Sequence, residues 1–230
     1  MSITILFDNH NPSSEQRNLW GFAAYVHEHK LLFDTGSNGR ALLRNMEQLG
    51  IDVIQIEYLF LSHEHWDHIG GVDSVIEANP NLTIFAPNSL SKNMIADLRT
   101  QSREVIVCDE HPRQLIPGLY STGVQGDEAP EHALVIEAPH PTLITGCGHY
   151  GIERIVVRAE STIDTPIEKV IGGLHLHSHS REEIQTIIDR LKQQGTAHVL
   201  PTHCTGDRAI ELFEEGFGEG FHIGGIGAKM

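Results

Sequence analysis

Apolar residues along this chain follow two rhythms. Short runs of four to six predict buried strands: "ITILFD" (3–8), two runs within "GFAAYVHEHKLLFDTG" (21–36), "IEYLFLS" (56–62), "LTIFAP" (82–87) and "EVIVC" (104–108). Between them lie stretches whose apolar residues recur every three or four positions. In "SNGRALLRNMEQLG" (37–50), Leu42, Leu43, Met46 and Leu49 share one helical face, and Gly50 suits the C-terminal cap. "VDSVIEANP" (72–80) predicts a short helix stopped by Pro80, and "NSLSKNMIADLRT" (88–100) another. The second half repeats the alternation. Residues 111–145 read as β-rich, through "LYSTG", "HALVIEA" and "PTLITG". "GIERIVVRAE" (151–160) predicts a helix and "KVIGGLHL" (169–176) a strand running into a loop. "SREEIQTIIDRLKQQG" (180–195) carries an Ile184, Ile187, Ile188, Leu191 stripe behind a Ser180/Glu183 capping box. "AHVLPTHC" (197–204) predicts a strand and loop, followed by a helix from about Asp207, and "FHIGGIGAKM" (221–230) a closing strand. A hairpin is expected around Glu28–Lys30.

No linker, repeat or low-complexity segment interrupts this pattern, so the expectation is one α/β domain over residues 1–230. A chain of this length buries roughly 70% of its unfolded surface and needs neither disulfides nor a metal to hold a core. Its formal net charge is −15, which repels phosphate backbones and anionic lipid. A nucleic-acid or membrane partner is therefore not expected, whereas a small anionic substrate is compatible if a bound cation reverses the local sign. The opening "MSITILFDNHNPSS" has no basic leader region, no apolar run is long enough for a transmembrane helix, and the three cysteines are far apart. Reduced thiols and a cytoplasmic location are the expectation. The oligomeric state stays open, a homodimer included.

Sixteen histidines change the picture. Most polar clusters follow directly on apolar strands: Asp34 after "LLF", His63 after "YLFLS", His149 after "TLITG", His175 after "VIGGL" and His203 after "HVLP". Strand ends along one sheet edge can converge on a pocket. The densest cluster is "LSHEHWDHIGG" (61–71), with His63, His65, Asp67 and His68 in six residues. Residues i and i+2 of such a run can address one cation and the last two a neighbouring one. Imidazole and carboxylate ligands suit Zn²⁺, and also Mn²⁺ or Fe²⁺. Two cations about 3.5–4 Å apart activate water and stabilise a leaving oxygen, so the run reads as half of a dinuclear hydrolytic site.

"FDTG" (33–36), "LSHEHWDHIGG" and "PTHC" (201–204) stand in the order found in metallo-β-lactamase-fold hydrolases, which the sequence resembles. "TGCGHYGI" (145–152), "IGGLHL" (171–176) and "PTHCTG" (201–206) bring it nearer the dihydropterin-(ribofuranosyl)aminobenzene phosphate synthase-like branch. With "LLRNMEQLGIDV" these matches span about residues 31–206. The resemblance implies a four-layer αββα sandwich and two divalent cations, zinc first. His63 and His65 would hold the first and Asp67, His68 and His203 the second, with His149 a ligand from the middle of the chain. Asp34 would orient the metal-binding loop by hydrogen bonds. Many members read "TGD" where this chain reads "TGC", so Cys147 is a further possible ligand, against a buried structural role.

Asp67 and His175 are the expected catalytic residues, His175 as substrate contact or proton donor. Glu131 and His132 could be middle-chain ligands or part of a solvated turn, and Thr205 a helix cap or part of a phosphate-binding helix end. Trp66 is expected to pack beside the metal loop or to form a substrate platform, and His198 to be an edge or core histidine. The implied activity is hydrolysis by a metal-bound hydroxide of a small anionic ester, phosphodiesters and phosphate-bearing esters first. The alternatives are a transferase or synthase acting on a phosphoribosyl compound, and a catalytically silent metal-binding sensor. Superfamily nucleases typically carry an added domain or basic arm; this acidic sequence shows neither, so RNA processing is not expected.

Overall fold

A computed structural model describes residues 2–10 and 18–230. The opening stretch read for a leader thus lies partly outside the described residues. The chain forms two compact units, Met1–Asp109 with Gly225–Met230, and Glu110–Gly224.

The first unit is a six-stranded mixed sheet among its described residues, in the order β1 (Ile3–Phe7), β2 (Ala23–Val26), β3 (Leu31–Phe33), β4 (Tyr58–Phe60), β5 (Thr83–Pro87), β6 (Glu104–Cys108). β1, β2 and β3 pair antiparallel and β3 to β6 parallel. The β2–β3 reversal is the expected hairpin: His27–His29 form a 3₁₀ turn and Lys30 caps it at φ 47°. Helices α1 (Gly39–Gln48), α2 (Trp66–Ile69), α3 (Val72–Ala78) and α4 (Lys92–Gln101) follow β3, β4 and β5. Strand alternation sends Leu32, Leu59, Leu61, Ile84 and Ala86 into one core with Leu42 and Met46 of α1, Val75 and Ile76 of α3, and Leu98 of α4. Each such side chain contributes about 1.5–3 kcal/mol when fully buried. The opposite strand positions, Phe33, Phe60 and Phe85, are equally buried, with Phe33 stacked on Phe60 at 5.2 Å. α1 starts where Asn38 accepts from the Ala41 amide at 2.9 Å.

The second unit is also a six-stranded mixed sheet, in the order β12, β11, β10, β9, β8, β7. β7 (Arg113–Ile116), β8 (Leu119–Ser121), β9 (Leu134–Ile136) and β10 (Thr142–Thr145) run antiparallel. β10, β11 (Lys169–Gly173) and β12 (His198–Thr202) are parallel, with crossovers through α5 (Ile152–Ile163) and α6 (Arg181–Gln193). α7 (Asp207–Phe217) follows β12. Ile155, Val156, Ile184, Ile188, Leu191, Leu212 and Phe213 bury the helix faces against Leu143, Val170 and Val199. Both halves of the Ser180/Glu183 capping box are made.

The closing residues do not form the expected strand. Ile3 and Met230 exchange backbone hydrogen bonds and Ile5 accepts from Gly227. Gly225 (φ 110°) and Gly227 (φ 86°) turn the backbone out of the extended range, so only an isolated bridge, Thr4 to Lys229, survives.

Candidate metal centre

In the first unit, the loop after β4 is held by the loop after β3. Asp34 is fully buried and sits at φ 53°. Its Oδ1 accepts from the Ser62 amide at 2.7 Å, and its Oδ2 from Ser62 Oγ at 2.6 Å and from His68 Nδ1 at 2.7 Å. Because Ser62 Oγ gives its proton to the carboxylate, it accepts from His63 Nδ1, 2.8 Å away. These donations set two tautomers: the lone pair of His63 and that of His68 both sit on Nε2. His63 Nε2 lies 3.1 Å from His65 Nδ1. Two nitrogens on one tetrahedral zinc, with bonds of about 2.0–2.1 Å, stand about 3.3 Å apart. His68 Nε2 lies 3.7 Å from Asp67 Oδ2, a comparable spacing. The four side chains expected in the motif thus form an i/i+2 pair and an adjacent pair, and the donor types fit divalent zinc, manganese or iron.

The rest of "FDTG" and "HIGG" serves the same loop. Thr35 Oγ1 donates to the His68 carbonyl at 2.9 Å and accepts from the Gly71 amide at 3.1 Å. A Cβ on Gly70 would stand 2.6 Å from the Trp66 carbonyl oxygen, and one on Gly71 2.4 Å from that of Thr35. The tandem glycine therefore lets the turn between α2 and α3 close against the β3 loop. Trp66, expected to pack, is 63% exposed. It opens a single-turn helix whose buried face is taken by Asp67 and His68.

In the second unit, three parallel strands end in the expected residues. Cys147 and His149 follow β10, His175 follows β11, and His203 and Cys204 follow β12. His175 (φ 51°) and His203 (φ 53°) both occupy the left-handed region. The rings of His149 and His175 lie 4.3 Å apart, and that of His177 5.0 Å from His175. A hydrogen bond with Cys204 pushes the His175 pKa up, against burial and with help from the negative charge of Glu131. Hydrogen bonds from Cys147 first, then His175, hold the Cys204 thiol well below its ordinary range despite burial. A cavity of about 530 Å³ opens here, lined by His149, Tyr150, Arg154 and His175 together with Asp127 and Glu128. The Arg154 guanidinium sits 5.5 Å from the Tyr150 ring centroid.

Several roles were not legible beforehand. Glu131 is buried, not in a solvated turn, and its Oε1 accepts from the Gly148 amide at 2.8 Å, bracing the Cys147–His149 loop. His132 is buried too, with Nδ1 2.8 Å from Ser121 Oγ. Thr205 does not cap α7: its hydroxyl donates to the Thr202 carbonyl at 2.7 Å and accepts from the Leu174 amide at 3.1 Å, tying two loops together. His198 pairs with His222 at 3.3 Å, as an edge histidine.

Comparison with known proteins places this geometry. The family model described as the metallo-beta-lactamase superfamily matches residues 22–203. A curated protein of Methanocaldococcus jannaschii named 7,8-dihydropterin-6-methyl-4-(beta-D-ribofuranosyl)-aminobenzene-5'-phosphate synthase is 28% identical, covering 86% of this chain and 83% of its own. Among solved structures, Tm1679, described as a metal-dependent hydrolase of the beta-lactamase superfamily, superposes with a TM-score of 0.83 at 24% identity, covering 100% of this chain and 98% of its own. Human tRNase Z, short form, superposes at 0.67 with 14% identity and the same coverage. These two likenesses show the fold.

Proposed function

The chain belongs to the metallo-β-lactamase superfamily, and from that premise we propose that it is a divalent-metal-dependent hydrolase of a small anionic ester, phosphodiesters and phosphate-bearing esters first. One observation carries the reading: the buried Asp34–Ser62 pair orients His63 and His68 so that each offers Nε2. A purely structural histidine cluster has no need for matched tautomers. The proposed ligands are His63, His65, Asp67 and His68, with His149 and His203 completing the set the superfamily resemblance assigns; zinc ranks first, and two ions are proposed. Bound there, the cations would lower the pKa of a coordinated water and offset charge on the scissile group.

The chain's own groups supply the rest. Arg154, on the wall of the cavity that also exposes His149 and His175, gives an acidic protein a cation where an anionic substrate would enter. Tyr150 offers a flat face beside it. His175 would pass a proton to the leaving oxygen, an effect of typically 10²–10⁴ in rate. The proposed partner is the small substrate alone, without nucleic acid or membrane, in a cytoplasmic setting. Among the described residues no helix is long and apolar enough to cross a membrane.

The second reading is a transferase or synthase that forms a carbon–carbon bond on a phosphoribosyl compound and releases pyrophosphate; the M. jannaschii relative, named a synthase, is consistent with it. The test is metal analysis of the purified protein, paired with bis(p-nitrophenyl) phosphate, a carboxylic ester and a pyrophosphate-release assay. Bound metal with phosphodiester hydrolysis, the hydrolysis lost and the metal content lowered in His65→Ala, supports the hydrolase. Pyrophosphate release without ester hydrolysis supports the synthase. Bound metal with neither activity defeats both and leaves a sensor.

A further inference from the structure

Three neighbouring parallel strands of the second unit, β10, β11 and β12, end at Thr145, Gly173 and Thr202. Two residues beyond each end stands a soft or borderline metal ligand: Cys147, His175 and Cys204. Paired strands lie about 4.8 Å apart, and equal offsets from neighbouring ends carry that spacing into the loops. The donor atoms of the three side chains all lie within 4.8 Å of one another. Two sulfurs and a nitrogen bound tetrahedrally to one zinc stand about 3.3–3.8 Å apart, so small side-chain rotations close the gap. We propose that Cys147, His175 and Cys204 form a site for one further soft divalent cation of the zinc class, held by two thiolates and an imidazole.

The surroundings favour ligation over plain packing. Both thiols are buried, yet Cys204 Sγ faces the Cys147 carbonyl at 3.5 Å instead of an apolar neighbour. Space for the thiols depends on Gly173: a Cβ there would lie 2.7 Å from Cys204 Sγ and 3.2 Å from Cys147 Cα. His175 is held at φ 51°, a conformation uncommon among non-glycine residues, and its buried Nδ1 has no hydrogen-bond partner among the described residues. The loops are fixed before any ion arrives. Gly173 donates to the Gly146 carbonyl, Thr145 Oγ1 donates to the Gly173 carbonyl, and Glu131 and Thr205 brace the flanks. Such preorganisation is what a closed, thiolate-rich site requires. The cation binds both sulfurs as thiolates, and any proton still on either sulfur goes to solvent. An imidazole holding this cation gives up no proton, so filling the site and proton donation by His175 exclude one another in the same molecule. The inference stands apart from the hydrolase reading, because it needs no turnover.

Cobalt(II) tests it. The full-length protein, stripped of metal and kept reduced, is titrated with Co²⁺ while near-ultraviolet thiolate-to-cobalt charge transfer and bound metal are followed. Wild type is expected to show the charge-transfer absorption. Cys204→Ser should lose it together with one equivalent of bound metal, and His65→Ala should keep it. Absence of the absorption from wild type, or its survival in Cys204→Ser with loss in His65→Ala, overturns the proposal; the second result would give Cys147 to the metals of the histidine motif. Should Cys204→Ser fail to fold by circular dichroism, alkylation mapping of wild type decides. Zinc is expected to slow modification of Cys147 and Cys204 but not of Cys108. Slowing shared equally by Cys108, slowing confined to Cys147, or no slowing overturns it.

Discussion

Asp34→Asn isolates the element that orients the candidate metal-binding loop. The change is nearly isosteric, and Asn tolerates the left-handed conformation about as well as Asp, so φ 53° is not put under new strain. What changes is the proton inventory. The carboxylate accepts three hydrogen bonds, from the Ser62 amide, Ser62 Oγ and His68 Nδ1. An amide keeps one oxygen as acceptor, best spent on the Ser62 amide at the Oδ1 position. Its NH₂ then faces Ser62 Oγ and His68 Nδ1. Both must become acceptors, which moves the His68 proton to Nε2, the atom proposed to ligate. His63 follows, because a Ser62 hydroxyl no longer claimed by the carboxylate can donate to His63 Nδ1 and push that proton to Nε2 as well. Loss of such an outer hydrogen bond costs about 10–100-fold in metal affinity, or about 1.4–2.7 kcal/mol. Because two tautomers are affected, the upper end of the range is expected. Calorimetric titration of metal-free wild type and Asp34→Asn with Zn²⁺ or Mn²⁺ measures the difference, with circular dichroism as the check on folding. A folded Asp34→Asn protein that binds metal as tightly as wild type would show that the hydrogen-bond relay does not set the ligating nitrogens.

Three further outcomes are expected. Gly173→Ala should destabilise by about 1–3 kcal/mol through overpacking, since its Cβ would stand 2.4 Å from the Gly146 carbonyl oxygen; urea unfolding reads it, and an unchanged midpoint would mean the loops shift freely. Arg154→Gln should weaken binding of a phosphate-bearing ester about 10–100-fold, as loss of a hydrogen bond to a charged group worth about 1.5–3 kcal/mol does, while a neutral ester is unaffected; equal KM changes for both would remove Arg154 from recognition. Ser180→Ala should cost about 1 kcal/mol, and the capping box should carry a pH signature. The Ser180 amide and hydroxyl hold the Glu183 carboxyl below its ordinary value, so its contribution is present above the unfolded carboxylate range and fades as pH falls through the lowered folded value. The stability gap between wild type and Glu183→Gln should therefore close in acid, and a gap independent of pH would refute the assignment.

Elements with a strong period were legible in the chain. Leu42 and Met46, or Ile184, Ile188 and Leu191, can be buried together only on a helix, and both helices form where the pattern and caps place them. The histidine motif was legible because its chemistry is local: His63 to His68 need no distant partner to reveal themselves. Glu131, Cys204, Thr205 and Ser62 were opaque for the opposite reason. Each acts through a neighbour remote in sequence, fixed by strand register: Glu131 through Gly148, Thr205 through Leu174, Cys204 through Cys147 and His175. No pattern in one segment encodes that register. Trp66 misled because a large apolar side chain next to a buried loop suggests packing, whereas a one-turn helix has only one inner face.

The left-handed residues show how the fold turns strand ends into chemistry. Among the described non-glycine residues, five have positive φ: Lys30, Asp34, Asp164, His175 and His203. Lys30 and Asp164 are explained by local geometry, since both occupy C-cap positions of helical segments. The other three stand one or two residues beyond a parallel strand, β3, β11 or β12. A left-handed residue there reverses the pleat, so the chain leaves the sheet abruptly and its side chain is set by backbone instead of by rotamer choice. Such a residue costs about 1–3 kcal/mol and persists only where surrounding contacts over-determine it. For Asp34 those contacts are three hydrogen bonds to a buried carboxylate. For His175 and His203 they are the Thr205 clasp between the two loops and the tight approach of Gly173 to the Cys147 loop. Glycine would relieve the strain at all three positions but would remove a proposed ligand or its support, and it is their place just beyond a parallel strand, not positive φ alone, that sets these three apart from the caps at Lys30 and Asp164.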